Sequence, residues 1–224
     1  MKHLLVLCAI SIALPAWAQV SKEANAGYQT REGRSRVAGA LDNPEREKND
    51  KPRELVDQLG IEKGDVIADI GTGVGFMIPY FLDLIGPEGK LYAQDIQQDF
   101  LDTVIKKKAE HGWSNVETVL GTGNEPGLPD GVADLAFILD VYHHISYPDV
   151  TMKNVARAIK PDGKLVVVDF YRSRKHPRMS DERLKGHIRL DRDGFKAEIE
   201  SAGFKFVRTF DQLPHQYVLI FEKE

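Results

Sequence analysis

Downstream of residue 50, short apolar runs rich in β-branched residues alternate with longer stretches that have helical spacing. The apolar runs cover 65–70, 90–95, 116–120, 134–139 and 164–170, and the helical patterns cover 52–60, 76–85, 100–110 and 149–160. Strands that alternate with helices are joined by right-handed crossovers and build a mostly parallel sheet with helices on both faces. The pattern therefore predicts a doubly wound α/β domain over residues 51–224.

The last two apolar runs follow a different pattern. A helical stretch ends at Gly203, and the runs at 204–210 and 217–221 are then joined by only six residues. A connection this short cannot contain a crossover helix, so the two strands must be antiparallel. We expect a Rossmann-like sheet of seven strands that is mostly parallel and ends in a C-terminal antiparallel hairpin.

The first 18 residues resemble a secretory signal peptide. Lys2 precedes an apolar run from 4 to 14, and an Ala-x-Ala sequence at 16–18 stands directly before Gln19. Such a run is typical of a signal peptide and is too short to cross a bilayer. We predict cleavage after Ala18 and export to the periplasm or the medium, with no stable membrane insertion afterwards. An uncleaved anchor or a buried helix is the alternative.

Residues 19–50 contain few hydrophobic side chains and three glycines. A stretch of this composition buries little surface by itself. We therefore expect a flexible N-terminal arm with at most one short helix, between the signal peptide and the α/β domain.

Composition excludes several classes of protein. The 224 residues are 42% hydrophobic and 29% charged, as in soluble globular proteins, and the net charge of −4 provides no bulk attraction for nucleic acid. The one cysteine, Cys8, lies in the predicted signal peptide. The mature protein should therefore have neither a disulfide framework nor a cysteine nucleophile.

A glycine-rich turn follows the first predicted strand. Gly71, Thr72, Gly73 and Gly75 lead into the next helix, and Asp69 lies just before them. Glycines let the backbone approach a ligand closely, and exposed N–H groups at this edge of a parallel sheet favour a carboxylate or a phosphate. We expect the turn to bind a small molecule.

The spacing of the turn argues against a dinucleotide. The dinucleotide fingerprint needs glycine where Phe76 stands, and the charge of Asp69 would repel a pyrophosphate. S-adenosylmethionine carries an ammonium group that suits Asp69, together with a carboxylate and a ribose. The turn therefore favours S-adenosylmethionine as the cofactor, and a NAD(P)-dependent oxidoreductase is the less favoured alternative.

An acidic residue also ends the second predicted strand. Asp95 can accept hydrogen bonds from both hydroxyls of a ribose, and Ile96 follows it at the same edge of the sheet. Asp95 could instead cap the next helix, but Asp99 is better placed for that role. We therefore include Asp95 and Ile96 in the cofactor site.

Four motifs together resemble the class I S-adenosylmethionine-dependent methyltransferase family, from about residue 51 to the C-terminus. They are Ala-Asp-Ile-Gly-Thr-Gly-Val-Gly at 68–75, Asp95, Asp-Val-Tyr-His-His at 140–144 and Ile-Lys-Pro-Asp-Gly-Lys at 159–164. The terminal hairpin fits the same family.

The resemblance implies roles for individual residues. Gly71, Gly73 and Gly75 would contact the methionine part of the cofactor, and Asp95 would bind its ribose. Asn124 would contact adenine, at a position where the family often has Asp. The resemblance also places Asp140 and Val141 at the edge of the cofactor near the methyl group.

Tyr142, His143 and His144 follow the fourth strand at the same edge. One of the histidines could act as a base or bind the substrate, because the pKa of imidazole lies near neutrality. Alternatively, one histidine packs beneath the loop and the other caps the next helix. Neighbouring side chains on a helix point apart, so we expect no metal shared between the two histidines.

Two further carboxylates come from adjacent strands. Asp140 and Asp169 end these strands, and catechol-type methyltransferases hold magnesium at such positions with a third ligand after the second Asp. Here Phe170 follows Asp169. We therefore predict that the protein has no metal site.

Residues 171–192 carry eight Lys and Arg side chains. This segment could form a lid that selects an anionic substrate, or it could be a solvated surface segment. We expect His187 and Arg189 to face inward. No aromatic residues are interleaved with the basic ones in the manner of nucleic-acid-binding segments.

These observations predict an S-adenosylmethionine-dependent methyltransferase that acts on a small-molecule acceptor, which would be anionic if the basic segment binds it. The alternative from another class is a nucleoside- or S-adenosylmethionine-binding module without turnover. We expect no nucleic-acid partner, and the sequence does not specify an oligomeric state.

Overall fold

The computed structural model describes residues 24–176 and 179–224. The predicted signal peptide and its cleavage site lie outside the described residues. Within the described part of the chain, no helix combines the length and the apolar character that spanning a bilayer requires.

A seven-stranded sheet forms the centre of the structure. Its strand order is β3-β2-β1-β4-β5-β7-β6, with β1 to β5 parallel to one another and β7 antiparallel to both β5 and β6. The predicted mostly parallel sheet with a C-terminal antiparallel hairpin is therefore confirmed. The strands are β1 Val66–Ile70, β2 Lys90–Asp95, β3 Val116–Leu120, β4 Ala133–Leu139, β5 Ile159–Phe170, β6 Phe204–Phe210 and β7 Gln216–Lys223.

Helices cover both faces of the sheet, as expected for βαβ crossovers. Short 3-10 helices lie at Asn25–Tyr28 and Tyr142–His144. The α-helices of the described chain are α1 Arg31–Leu41, α2 Glu45–Asp50, α3 Pro52–Val56, α4 Ile78–Ile85, α5 Gln98–His111, α6 Pro148–Ala158, α7 Asp181–His187 and α8 Arg192–Ser201.

The sheet separates two hydrophobic clusters. Successive residues of a strand point to opposite faces, so Ala68 packs in the cluster with α6 and α8, whereas Ile67 packs in the cluster with α3, α4 and α5. Ile67 and Phe137 have no exposed surface. Burial of each large side chain of this kind contributes about 1.5–3 kcal/mol, which holds the strand ends in fixed positions.

Some element boundaries differ from the prediction. Helix α4 begins at Ile78 rather than at 76, because the backbone from 71 to 77 forms the glycine-rich turn. Strand β5 begins at Ile159, where 164 was predicted, because the backbone at Ile159 is already extended directly after α6.

Residues 24–50 contain more helix than the single short helix predicted from composition. Thr30 caps the N-terminus of α1 by accepting a hydrogen bond from the Gly33 amide. Arg34 in α1 donates to Asp99 at 2.7 Å. This segment thus contacts the α/β domain through polar groups, which a count of hydrophobic residues does not register.

Candidate functional site

A cavity of about 330 Å³ lies at the carboxyl edge of the parallel strands. Ligands of open α/β sheets bind at this edge. The walls come from the ends of β1, β2 and β4, from the loops that follow them, and from the N-terminal residues. The polar and aromatic side chains that line it are Asn25, Tyr28, Gln29, Arg46, Asp69, Thr72, Phe76, Gln94, Asp95, Gln97, Phe100, Thr122, Asp140, His144, Ser146, Tyr147 and Thr151.

The glycine-rich turn is held against strand β2. The backbone carbonyl of Gln94 accepts hydrogen bonds from the amides of Gly71 at 2.9 Å and Thr72 at 2.8 Å. Gly71 has a φ of +74°, and a Cβ atom there would lie 2.5 Å from Cγ2 of Val141. Both the backbone conformation and the close approach of the β4 loop therefore require glycine at this position.

Asp95 at the end of β2 closes the turn from the other side. Its Oδ2 accepts a hydrogen bond from the Gly73 amide at 2.9 Å, and its Oδ1 accepts one from the Gln97 amide at 2.9 Å. Burial raises the pKa of Asp95, while these two amides act in the opposite direction. A carboxylate offers about four lone-pair positions. Asp95 therefore retains acceptor capacity for two hydroxyl groups of a ligand.

Asp69 is almost completely buried at the end of β1. The Thr72 hydroxyl donates to its Oδ2 at 2.7 Å. Burial raises the pKa of Asp69 to about 7, and the hydrogen bond from Thr72 opposes part of that shift. A ligand ammonium group placed beside Asp69 would favour the ionised carboxylate.

Arg46 in α2 covers the cavity from the N-terminal side. Its guanidinium donates to Asp50 at 2.8 Å, lies 3.8 Å from Asp140 and stacks 4.1 Å above the centre of the Phe76 ring. Burial and the charge of Asp50 raise the pKa of Asp140 to about 7, against the effect of Arg46. Asp140 also has a φ of +55° and accepts a hydrogen bond from Gln216 at 2.7 Å.

The cavity-lining residues that sequence reasoning missed include Tyr28, Arg46 and Gln94. Tyr28 packs edge-on against Phe100, with ring centres 6.2 Å apart. The only sequence signal for Arg46 was an acidic partner four residues later, Asp50, which is too common a spacing on helices to identify a site.

Most of the predicted cofactor residues meet at the cavity. Two of them, Gly75 and Asn124, are not among the residues that line the cavity in the described part of the chain. A Cβ atom at Gly75 would contact Ile78 in α4. The carboxamide oxygen of Asn124 accepts a hydrogen bond from the Thr122 hydroxyl. Gly75 therefore shapes the start of α4. Those predicted residues that do line the cavity are Asp69, Gly71, Thr72, Gly73, Asp95, Ile96, Asp140 and Val141.

Of Tyr142, His143 and His144, only His144 lines the cavity. Tyr142 is buried beneath it, where its hydroxyl donates to Glu198 at 3.3 Å and its ring packs edge-on against Phe195. His143 is also buried, and its Nδ1 lies 2.7 Å from Oδ1 of Asp169. An ionised carboxylate can only accept, so Nδ1 of His143 carries the proton.

The expectation that the rings of His143 and His144 point apart is wrong. Their centres are 4.1 Å apart, and the ring of His187 lies 4.9 Å from the first and 5.3 Å from the second. The three-residue 3-10 helix does not continue into an α-helix, and Asp169 fixes the direction of the His143 ring. The α-helical rule for neighbouring side chains therefore does not apply.

The basic segment contains helix α7, which sequence reasoning did not predict. His187, at the C-terminal end of α7, contacts the two histidines. Arg189 is buried but forms an ion pair with Glu198, and its guanidinium lies 4.8 Å from the centre of the Phe195 ring. The charge of Arg189 is therefore neutralised by Glu198 of α8. Arg189 is not among the residues that line the cavity in the described part of the chain.

Comparison with known proteins agrees with this fold. Residues 68–167 match the family profile of a methyltransferase domain. A solved S-adenosylmethionine-dependent methyltransferase from Aquifex aeolicus superimposes with a TM-score of 0.76 at 25% identity, over 83% of this chain and 96% of that one. The solved 4+2 cyclase SpnF has a TM-score of 0.66 at 16% identity, over 78% of this chain and 81% of that one, and shows the fold alone.

A sequence relative is the ubiquinone/menaquinone biosynthesis C-methyltransferase UbiE of Hahella chejuensis. It is 28% identical over 119 residues, which are 53% of this chain and 48% of that protein. The chain thus spans about half the length of the curated relatives it matches. The fold and these matches make the chain similar to S-adenosylmethionine-dependent methyltransferases, with the profile match confined to residues 68–167. Methyltransferases of this kind use S-adenosylmethionine, and these similarities support the same cofactor for this chain.

Proposed function

We propose that this protein transfers a methyl group from S-adenosylmethionine to a small-molecule acceptor. The observation that carries the proposal is the pair of buried carboxylates, Asp69 and Asp95, on either side of the glycine turn in one cavity. One carboxylate suits an ammonium group and the other suits a vicinal diol. S-adenosylmethionine has both groups, an ammonium on its methionine part and a vicinal diol on its ribose.

Each end of the cofactor has its own contacts in this proposal. Asp69 and Thr72 bind the amino-acid end, whose carboxylate faces the amides of the turn. Asp95 accepts hydrogen bonds from the ribose hydroxyls through its free lone pairs. Ile96, which is 50% exposed, offers apolar surface to the purine. Thr122 and Gly123, which line the cavity, are better placed for adenine than Asn124.

The chemistry needs alignment more than acid–base catalysis. The cofactor brings a methyl group on a sulfonium, and the acceptor atom must approach in line with the C–S bond. Positioning of this kind contributes about 7–11 kcal/mol to a reaction barrier. Asp140, Val141 and His144 form the wall that we assign to the methyl end. Their fixed backbone would orient the acceptor.

The cavity of about 330 Å³ is of the size that holds one small ligand, which is the cofactor in this proposal. We propose a small acceptor that approaches the methyl end beside Asp140, Val141 and His144. The UbiE relatives are named as C-methyltransferases. For this protein we propose methyl transfer without specifying the acceptor atom. We propose an anionic acceptor on the basic composition of residues 171–192; Arg189 does not contribute to this charge, because Glu198 neutralises it.

The test combines binding with turnover. We expect calorimetry to show one molecule of S-adenosylhomocysteine bound per chain, and extracts or an acceptor panel to convert S-adenosylmethionine slowly to S-adenosylhomocysteine. Binding without conversion across the panel would instead support the non-catalytic module. Tight NADH binding that S-adenosylmethionine does not displace would support the oxidoreductase.

We also propose that the protein is exported. The support is the signal-like pattern at residues 1–18. Intact-mass measurement on protein expressed from the full reading frame should give a chain that begins at Gln19 in the periplasmic or extracellular fraction. A full-length chain retained in the cytoplasm would contradict export.

A further inference from the structure

Three histidines from two separate segments meet beside the cofactor cavity. His143 and His144 follow β4, and His187 ends α7, so residues more than 40 positions apart in sequence share one location. One ligand nitrogen from each residue lies within 4.8 Å of those of the other two. Such a meeting of three imidazoles is not required by the packing of the sheet.

Two of these nitrogens are buried without a partner. Among the described residues, neither Nε2 of His143 nor Nδ1 of His144 has a hydrogen-bond partner. Leaving a buried polar atom unpaired costs about 1–3 kcal/mol, so such atoms call for an explanation. A ligand that accepts lone pairs from both imidazoles would satisfy them together.

The surroundings of His143 match those of a metal-ligating histidine. Its Nδ1–H donates to Asp169 at 2.7 Å, which leaves Nε2 with a lone pair directed away from the carboxylate. Asp169 is itself fixed by the amides of His143 at 3.1 Å and Phe170 at 2.7 Å. A carboxylate that holds a histidine in this way orients the ring and increases its basicity toward a metal.

Charged groups of both signs lie near the three imidazoles. Asp169 and Asp140 act on His143 with negative charge, whereas Arg189 acts on His143 and Arg183 acts on His187 with positive charge.

We propose that His143, His144 and His187 form a binding site for a first-row divalent cation, with Zn²⁺ as the favoured ion. Three neutral imidazoles are a typical zinc ligand set, and they leave a fourth position open. In a tetrahedral site with Zn–N bonds near 2.0–2.1 Å, the nitrogens lie about 3.3 Å apart. The three side chains must therefore draw together when the ion binds, and His144 and His187 are only partly buried. Because His144 lines the cavity, the open position would accept water or an oxygen or nitrogen donor from that side.

The experiment measures metal binding by itself, without cofactor or acceptor, so its outcome does not depend on methyl transfer. Tag-free protein is stripped with a chelator and titrated with ZnCl₂ in competition with a chromophoric chelator. Co²⁺ is added separately, because tetrahedral Co²⁺ gives intense visible absorption. We expect one ion per chain and a tetrahedral Co²⁺ spectrum.

The variants His187→Gln and His144→Gln should each weaken Zn²⁺ binding by more than about 100-fold, since loss of a direct ligand exceeds the 10–100-fold loss seen for outer partners. His111→Gln is the control, because His111 stacks on Trp113 at the end of α5, outside the cluster. Binding that is unchanged in His187→Gln, or the absence of stoichiometric binding in the wild-type protein, would overturn the proposal. The variant His143→Gln is unsuitable as a test of metal binding, because it also removes the buried hydrogen bond between His143 and Asp169.

Discussion

The guanidinium of Arg46 lies 3.8 Å from the carboxylate of Asp140, and both side chains are largely buried. Arg46 belongs to the short N-terminal helix α2, whereas Asp140 follows β4 at the carboxyl edge of the sheet. One ion pair therefore connects the N-terminal segment to the edge that carries the cofactor cavity. The same guanidinium also neutralises Asp50.

Removal of Arg46 should destabilise the protein strongly. The Arg46→Ala variant leaves Asp50 and Asp140 buried without their cation, which typically costs about 3–5 kcal/mol. Arg53→Ala is the matched control, because Arg53 forms an exposed pair with Asp83 whose loss costs at most about 1 kcal/mol. Urea unfolding measures both, and equal losses for the two variants would contradict the buried role of Arg46.

Cofactor affinity should depend on pH through Asp69. The folded protein holds the pKa of Asp69 at about 7, above its ordinary value, so the group binds a proton at pH 6 and releases it at higher pH. A cofactor ammonium requires the ionised form, and affinity therefore rises with pH. Between pH 6 and 7.5 we expect an increase of roughly five- to tenfold for S-adenosylhomocysteine, because affinity follows the ionised fraction.

The variant Asp69→Asn isolates this effect. Asparagine cannot titrate, so the variant should bind S-adenosylhomocysteine weakly and with little dependence on pH, although Asp140 also titrates near pH 7. Calorimetry at three pH values measures both proteins. A pH dependence that persists unchanged in Asp69→Asn would assign it to another group.

The raised pKa of Asp69 also affects stability in the absence of a ligand. The folded state binds this proton more tightly than the unfolded state, so stability is greatest below the ordinary pKa of Asp and falls as the pH rises through about 7. A shift of this size corresponds to roughly 4 kcal/mol at neutral pH. The difference between thermal melts of the wild type and Asp69→Asn should be smallest at pH 5 and largest at pH 8.

Asp95 should contribute to cofactor affinity beyond its role in the fold. Asp95→Ala removes two acceptors for ribose hydroxyls, and hydrogen bonds to charged groups contribute about 1.5–3 kcal/mol each. We expect at least a 100-fold loss of S-adenosylhomocysteine affinity by calorimetry. Asp102→Ala, an exposed carboxylate on α5 that accepts a bond from Gln98, is the control. Unchanged affinity in Asp95→Ala would refute the ribose contact.

The sequence predicted the sheet well because its signals are local. Apolar runs mark β1 to β5, and the short link before β7 forces the hairpin to be antiparallel. The carboxylates at the strand ends, Asp69 and Asp95, were predicted for the same reason: parallel strands deliver their carboxyl ends to one edge.

The remaining part of the site depends on contacts distant in sequence. Tyr28 ends the 3-10 helix Asn25–Tyr28 and Arg46 lies in α2; both reach the cavity because the N-terminal segment packs at the sheet edge, held by polar bonds such as that between Arg34 and Asp99. Hydrophobic periodicity carries no information about such bonds. The meeting of His144 with His187 likewise depends on how the segment after β5 returns, which no local pattern encodes.

The approach of Gly71 to Val141 gives a test of how the turn is built. Gly71→Ala combines a positive φ with a contact 2.5 Å from a valine methyl, so it should destabilise the protein by more than the strain of the dihedral alone. Gly60→Ala is the control, because Gly60 has a similar φ of +69° and no atom within 4 Å of the added carbon. We expect about 1–2 kcal/mol for the control, from the left-handed conformation, and a larger loss for Gly71→Ala. The double variant Gly71→Ala/Val141→Ala should recover only the part of the stability loss that comes from the steric contact. Urea unfolding of Gly71→Ala, Gly60→Ala and the double variant would show whether contact with Val141 requires glycine at position 71.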